Sequence, residues 1–95
     1  MDKKTKRKLE IGQRIEETRK SHLKDMIHIQ VAKNIEITGQ SFGAITKGKT
    51  FPSIETLMNY CEFAGVSADY ILWGKKSKLD KATILDAIDY VNNNN

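Results

Sequence analysis

The side chains best suited to specific binding lie between residues 39 and 47, where small and amide residues recur within a short helical pattern. Glutamine can form two hydrogen bonds with one adenine, serine can bond either base of a pair, and alanine can contact the methyl group of thymine. At the end of a short helix, such side chains could read the major groove of duplex DNA. A solvated surface helix would carry the same residue types. The candidate base-contacting residues are Gly39, Gln40, Ser41 and Ala44.

Hydroxyl and cationic side chains accompany this pattern and could bind phosphate: Thr38, Thr46, Lys47 and Lys49. A second basic group lies at residues 1–8, where Asp2 is outnumbered by Lys3, Lys4, Lys6, Arg7 and Lys8. Each lysine or arginine that neutralises a phosphate releases a counterion, so these contacts would add affinity with little sequence information. We predict that residues 1–8 form a basic arm along the DNA backbone, although a solubilising tail would have the same composition.

Residues that could support catalysis or hold a metal do not occur in suitable patterns. His22 and His28 stand in no metal-binding spacing with each other or with Cys61. Cys61, the single cysteine, follows a helical apolar spacing and is expected to be a core or half-buried thiol. Asp86 and Asp89 fit the solvent-exposed edge of an apolar helix better than they fit a catalytic pair. We therefore expect no enzymatic activity, no metal and no cofactor.

Two apolar runs must position the candidate residues. The first consists of Val31, Ala32 and Ile35, and the second of Ile37, Phe42 and Ile45. Between them Thr38 is a good N-cap, and Gly48 followed by Pro52 predicts that the second helix ends near residue 47. Ala32 is small enough to let two crossing helices approach closely. The pattern predicts two short helices joined by a tight turn, with the candidate residues on the outer side of the second.

This stretch resembles the helix-turn-helix of the Cro and phage-repressor family, also called the xenobiotic-response-element type. The matching motifs are Val31-Ala32, Ile37, Phe42, Ile45, Lys47-Gly48-Lys49 and Pro52-Ser53. Further matches extend the resemblance over about residues 9–74: Ile11-Gly12, Arg14-Ile15, Arg19-Lys20, Ile54-Glu55-Thr56-Leu57, Ala64-Gly65-Val66-Ser67 and Tyr70-Ile71-Leu72-Trp73-Gly74. The resemblance implies a five-helix, lambda-repressor-like DNA-binding domain that binds a double-stranded DNA operator.

The chain departs from the family pattern at three points. Glu36 replaces the glycine that usually ends the first helix of the pair, so either the turn is built differently or about 1 kcal/mol is lost. His28 replaces a glutamine that contacts a backbone phosphate in the family, and histidine can still donate to phosphate. Residues 21–27 are about two residues longer than usual, so the second helix could begin after Asp25 or nearer His28.

The complete pattern predicts an all-α fold. Helices are expected at about residues 8–21, 26–35, 39–47, 54–63 and 68–72, with Ser53 and Ser67 as N-caps and Gly65 ending the fourth. The 95 residues, net charge of +4 and isoelectric point near 9.2 suit one small domain that prefers polyanions. We divide the chain into the basic arm at 1–8, a helix-turn-helix domain at 9–74, and a link with an additional C-terminal helix at 75–95.

The C-terminal region carries an apolar helical pattern that needs a partner. Ser77-Lys78-Leu79-Asp80 fits a capping box, and the residues that follow are too apolar for a lone surface helix. The helix could fold back on its own domain. We favour pairing with the same helix of a second chain, because two-fold dimers are usual for proteins that read paired half-sites. The expected interface residues are Ile84, Leu85, Ile88 and Val91.

These patterns predict a sequence-specific transcriptional regulator of phage or plasmid repressor type that binds double-stranded DNA as a homodimer. The alternative is a protein-interaction module on the same fold, antitoxin-like or binding a second regulatory protein. Gly39 and Gly43 favour this alternative because they weaken the recognition helix, and no arginine stands among the candidate base readers. No apolar run is long enough for a signal peptide or a membrane span, so we expect a cytoplasmic protein without membrane contact.

Overall fold

The computed structural model describes residues 1–75, which form five α-helices and no strand. Helix α1 spans Lys3–His22, α2 spans His28–Asn34, α3 spans Gly39–Thr46, α4 spans Ile54–Ala64 and α5 spans Ala68–Trp73. The expected all-α class is confirmed for these residues. The predicted C-terminal helix, with Ile84, Leu85, Ile88 and Val91, lies outside them. None of the five helices is long and apolar enough to cross a membrane.

Side-chain caps set the starts of α3, α4 and α5. The side chains of Thr38, Ser53 and Ser67 each accept a hydrogen bond from the backbone N–H three residues later, satisfying a donor that the first helical turn leaves unpaired. Gly65 and Gly74 end α4 and α5 in the left-handed conformation, both with φ of 69°. The bounds predicted for these three helices are confirmed to within one residue.

One predicted helix start, that of α1, is wrong, and the start of α2 that the sequence left open lies at the later of its two alternatives. Helix α1 begins at Lys3 instead of residue 8, because the Asp2 side chain caps it by accepting from the Thr5 N–H at 2.7 Å, and lysine and arginine are good helix formers. The predicted basic arm is therefore the start of α1. Helix α2 begins at His28, the later of the two starts that the sequence left open, and Asp25 is not its N-cap. Ile27 holds the cap position, where its N–H donates to Gln30 Oε1 at 3.0 Å.

One apolar core joins all five helices. Tyr60 of α4 is its largest fully buried side chain, only 1% exposed. The Tyr60 hydroxyl donates to the carbonyl of Ile15 at 2.8 Å and lies 2.7 Å from Thr18 Oγ1, and burial raises the pKa of Tyr60 to about 12. These bonds tie α4 to α1. The other buried apolar residues are Ile11, Ile15, Val31, Ala32, Ile35, Phe42, Ile45, Ala64 and Ile71, which confirms the inward positions expected for Ile11 and Ile15.

Helix α1 crosses the C-terminal end of α3 at close range, and Gly12 is the crossing point. A Cβ atom on Gly12 would lie 2.8 Å from the carbonyl oxygen of Thr46 and closer still to that of Ile45, which real Cβ atoms essentially never do. One turn earlier, Leu9 lies against Gly48. This backbone-to-backbone contact fixes α3 against α1, and so determines where the remaining faces of α3 point.

Candidate nucleic-acid interface

The candidate interface is built on the pair α2 and α3. The side chains that join them are no more than 6% exposed: Val31, Ala32, Ile35, Phe42 and Ile45. Residues 35–38 connect the helices, and the N–H groups of Ile37 and Glu36 donate to the carbonyls of Ala32 and Lys33 at 3.0 and 3.3 Å. This pair of bonds is a Schellman turn. Because the core and the turn both constrain α3, its outward residues are held in a fixed orientation.

Glu36 occupies the left-handed position of this turn, with φ of 64°. It is the one non-glycine residue with positive φ among residues 1–75. The turn therefore has the geometry that usually takes glycine, so it is not built differently from the family pattern, and the loss of stability stays a prediction. The side chain is exposed, so burial does not offset the strain.

The four predicted base-contacting residues lie in the first six positions of α3. Gln40 and Ser41 are exposed, whereas Gly39 and Ala44 are half-buried. The Ser41 hydroxyl accepts a hydrogen bond from Thr38 Oγ1 at 2.9 Å, which leaves the hydroxyl hydrogen of Ser41 available to donate. The N-terminal end of α3 thus presents one amide and one hydroxyl donor to solvent, beside the buried Phe42.

The predicted phosphate contacts at α3 fall into two groups. Lys47 and Lys49 are exposed, and none of the ion pairs within residues 1–75 involves them. They flank Gly48, whose φ of 75° ends α3 in a second Schellman turn. The hydroxyl hydrogens of Thr38 and Thr46 are already used, toward Ser41 Oγ and the Gly43 carbonyl. The two lysines are therefore better placed than the two threonines to donate to phosphate.

His28 belongs to a hydrogen-bonded cluster between α1 and α2. Its Nε2 donates to Glu16 Oε2 at 2.6 Å, the other carboxylate oxygen accepts from Arg19 Nε, and Arg19 Nη1 donates to the Met26 carbonyl at 2.8 Å. Burial by itself would raise the pKa of Glu16, but the hydrogen bonds from Arg19 and His28 outweigh it and lower that pKa. One ring nitrogen of the predicted phosphate ligand His28 is thus committed to Glu16.

The basic start of α1 forms a second cationic surface. Lys3, Lys4, Lys6 and Arg7 are exposed and Lys8 is half-buried. The Arg7 guanidinium lies 5.7 Å from the Trp73 ring centre, and Lys8 Nζ lies 5.7 Å from that of Phe51. Since Leu9 contacts Gly48, this surface continues from the C-terminal end of α3. The fold therefore brings Lys8, the last residue of the basic run, close to the turn that carries Lys47 and Lys49.

Ile29 lies beside the candidate base-contacting residues, and sequence reasoning did not single it out. Its side chain is 64% exposed in the first turn of α2, and a Cβ on Gly39 would lie 3.6 Å from Ile29 Cγ1. The available signal was its position, because Ile29 does not share the inward face of Val31 and Ile35. Glu16 was missed too, because no local pattern connects it to His28 across twelve residues.

Two other residues considered for catalysis or metal binding, Cys61 and His22, lie on α4 and at the end of α1. Cys61 is half-buried on α4, as expected, and burial raises the pKa of its thiol. His22 Nδ1 lies 3.1 Å from the carbonyl oxygen of Ala64, at the junction of α1 and α4. Within residues 1–75, no group of three or more His, Cys, Asp or Glu side chains could hold a metal ion.

No family model, curated protein or solved structure matches this chain. Support for a function therefore comes from the side chains and geometry described above.

Proposed function

We propose that this protein is a sequence-specific transcriptional regulator that binds double-stranded DNA, a repressor of phage or plasmid type acting in the cytoplasm as a homodimer. The observation that carries the proposal is the setting of α3. Phe42 and Ile45 are buried in the core on one face of this eight-residue helix, while Gln40 and Ser41 at its N-terminal end are exposed. A helix held in this way can enter a major groove with its N-terminal end first.

The side chains of α3 and its flanks support a division between base and phosphate contacts. Gln40 can bond adenine bidentately, Ser41 can donate to a base acceptor, and Ala44 can contact a thymine methyl group. Lys47 and Lys49, on the rigid turn after α3, can neutralise phosphates on either side of the groove. Under this proposal the basic start of α1 adds affinity by tracking the neighbouring backbone as a helix.

The charge distribution also supports a polyanionic partner. The five basic residues within residues 3–8 adjoin the end of α3, whereas residues 51–74 contain three acidic residues and no lysine or arginine. The basic run therefore supplies long-range attraction to DNA, to which residues 51–74 do not contribute. This attraction speeds the encounter with a duplex before specific contacts form.

Helix α4 favours a second candidate function, a protein-interaction module with weak or non-specific DNA binding. Ile54 and Met58 lie one turn apart on α4 and are 80% and 64% exposed. Adjacent exposed apolar side chains of this size often mark a protein contact. In this case the partner would be a second regulatory protein.

Binding to a pool of random duplexes separates the two candidates and tests the division of contacts. We expect enrichment of a site with two-fold symmetry. On that site Gln40→Ala should change the base preference at one position of each half-site and weaken binding by about 1–3 kcal/mol. Lys49→Ala should weaken binding to all duplexes about equally and reduce the slope of log affinity against log salt by about one.

Gln13→Ala is the matched control for Gln40→Ala, because Gln13 is an exposed glutamine on α1 outside the proposed base contacts. It should leave the base preference unchanged. Equal losses from Gln40→Ala and Lys49→Ala on matched and random duplexes would contradict the division of contacts. Salt-sensitive binding without any enriched site would favour the protein-interaction module.

A further inference from the structure

Ile29 is a large apolar side chain exposed where the fold gives no reason for it. It is 64% exposed, whereas Val31, Ala32 and Ile35 of the same helix are buried. Both neighbours in sequence are engaged within the domain, since His28 donates to Glu16 and Gln30 accepts from the Ile27 N–H. Ile29 is therefore the apolar side chain of the first α2 turn that remains free to contact something outside the domain.

The position of Ile29 relative to α3 identifies that external surface. Gly39 is the first residue of α3, and a Cβ built on it would lie 3.6 Å from Ile29 Cγ1 and 3.8 Å from Ile29 Cα and Cβ. Gly39 has no side chain of its own, so Ile29 supplies the apolar surface at this end of α3. Whatever the N-terminal end of α3 approaches, Ile29 approaches as well.

We propose that Ile29 is a specificity-determining residue that contacts the C5-methyl group of a thymine next to the base pair read by Gln40. This inference rests on the proposed function, because it requires the N-terminal end of α3 to lie in a major groove. The thymine methyl is the apolar group on the base edges of that groove, and a cytosine at the same place would present a polar amino group instead. An isoleucine at this point favours thymine over the other bases.

Removing single methyl groups from the DNA tests the contact directly. The full-length protein is first used to select a duplex from a random pool, and each thymine of that duplex is then replaced in turn by deoxyuridine, which pairs identically but lacks the methyl. Dissociation constants are measured at one fixed salt concentration. For the unsubstituted protein, one replacement in each half-site should weaken binding by about fourfold, the effect of losing one buried methyl-sized group.

The same replacement should have no effect on Ile29→Ala, which has already lost the contact. Ile54→Ala is the matched control, because Ile54 is an exposed isoleucine on α4 and the substitution removes the same side-chain atoms. Any change in affinity that Ile54→Ala causes should be the same for the selected duplex and for its deoxyuridine version, so that the methyl effect persists. A methyl effect that comes from Ala44 would likewise persist in Ile29→Ala and would occur at a different thymine.

Three results would overturn the inference, and they are distinguishable. If a duplex is selected but every methyl effect is the same in Ile29→Ala and the unsubstituted protein, Ile29 does not contact a thymine and the proposed function stands. A change in oligomeric state in Ile29→Ala without loss of a methyl effect would mean that Ile29 contacts a second copy instead. If no duplex is enriched, the proposed function fails and the inference fails with it.

Discussion

At the scale of single residues, Glu36 combines a left-handed backbone with an exposed side chain that gains little in return. An L-residue with a Cβ pays about 1 kcal/mol in this conformation, whereas glycine adopts it without steric cost. We predict that Glu36→Gly stabilises the fold by about 0.5–1 kcal/mol, the gain being reduced by the larger chain entropy of glycine in the unfolded state. Urea unfolding at equilibrium measures the difference.

Glu36→Gln separates strain from charge, because it removes the carboxylate and keeps the Cβ. Its free energy of unfolding should stay near that of the original protein. If Glu36→Gln stabilises as much as Glu36→Gly, repulsion involving the carboxylate and not backbone strain is the cause. The resemblance located this residue but left two possible turns, because a sequence specifies residue types and not φ.

At the scale of helices, the packing of α1 on α3 gives alanine substitutions at two glycines opposite expected effects on stability. A Cβ at Gly12 would collide with the carbonyls of Ile45 and Thr46, while a Cβ at Gly43 would meet no atom within 4 Å. We predict that Gly12→Ala destabilises by about 1–3 kcal/mol, the usual cost of overpacking. Gly43→Ala should stabilise by about 0.5–1 kcal/mol, since alanine is the better helix former.

Thermal unfolding of the two variants side by side tests this difference. For a domain of this size, 1 kcal/mol corresponds to a shift of about 4–8 °C in Tm. The two alanine variants serve as each other's control, because both make the same chemical change inside a helix. Similar shifts in one direction would show that helix propensity alone governs both positions and that α1 and α3 are not in close contact.

Local signals explain which elements could be predicted from the sequence. The caps Thr38, Ser53 and Ser67 act within three residues, so the starts of α3, α4 and α5 could be read directly. The start of α1 was placed too late because the basic residues were interpreted as an arm, although Asp2 provides a cap just before them. Contacts across helices, such as Gly12 with Thr46 or Ile29 with Gly39, depend on packing and have no local pattern.

At the scale of the whole domain, Glu16 joins three parts of the chain through hydrogen bonds. Through Arg19 it is linked to the Met26 carbonyl in the connection between α1 and α2, and through His28 to the start of α2. The His28 ring in turn meets Phe42 of α3 edge-on, with 5.1 Å between ring centres. The orientation of the α2–α3 pair on α1 therefore depends partly on one ionised carboxylate.

The lowered pKa of Glu16 makes the stability of the domain depend on pH below neutrality. Because the folded state holds the proton less tightly than the unfolded state, the stabilisation is complete above the ordinary glutamate pKa of 4.5 and is lost as the pH falls through the lower folded value. We predict that Glu16→Gln costs about 1.5–3 kcal/mol at pH 7, the range for hydrogen bonds to a charged group. The loss relative to the original protein should shrink toward pH 3, as measured by urea unfolding at both pH values.

Glu17→Gln is the control on the same helix, since Glu17 is exposed and outside the cluster. An equal dependence on pH in the original protein and Glu16→Gln would rule out Glu16 as the group that couples α2 and α3 to α1.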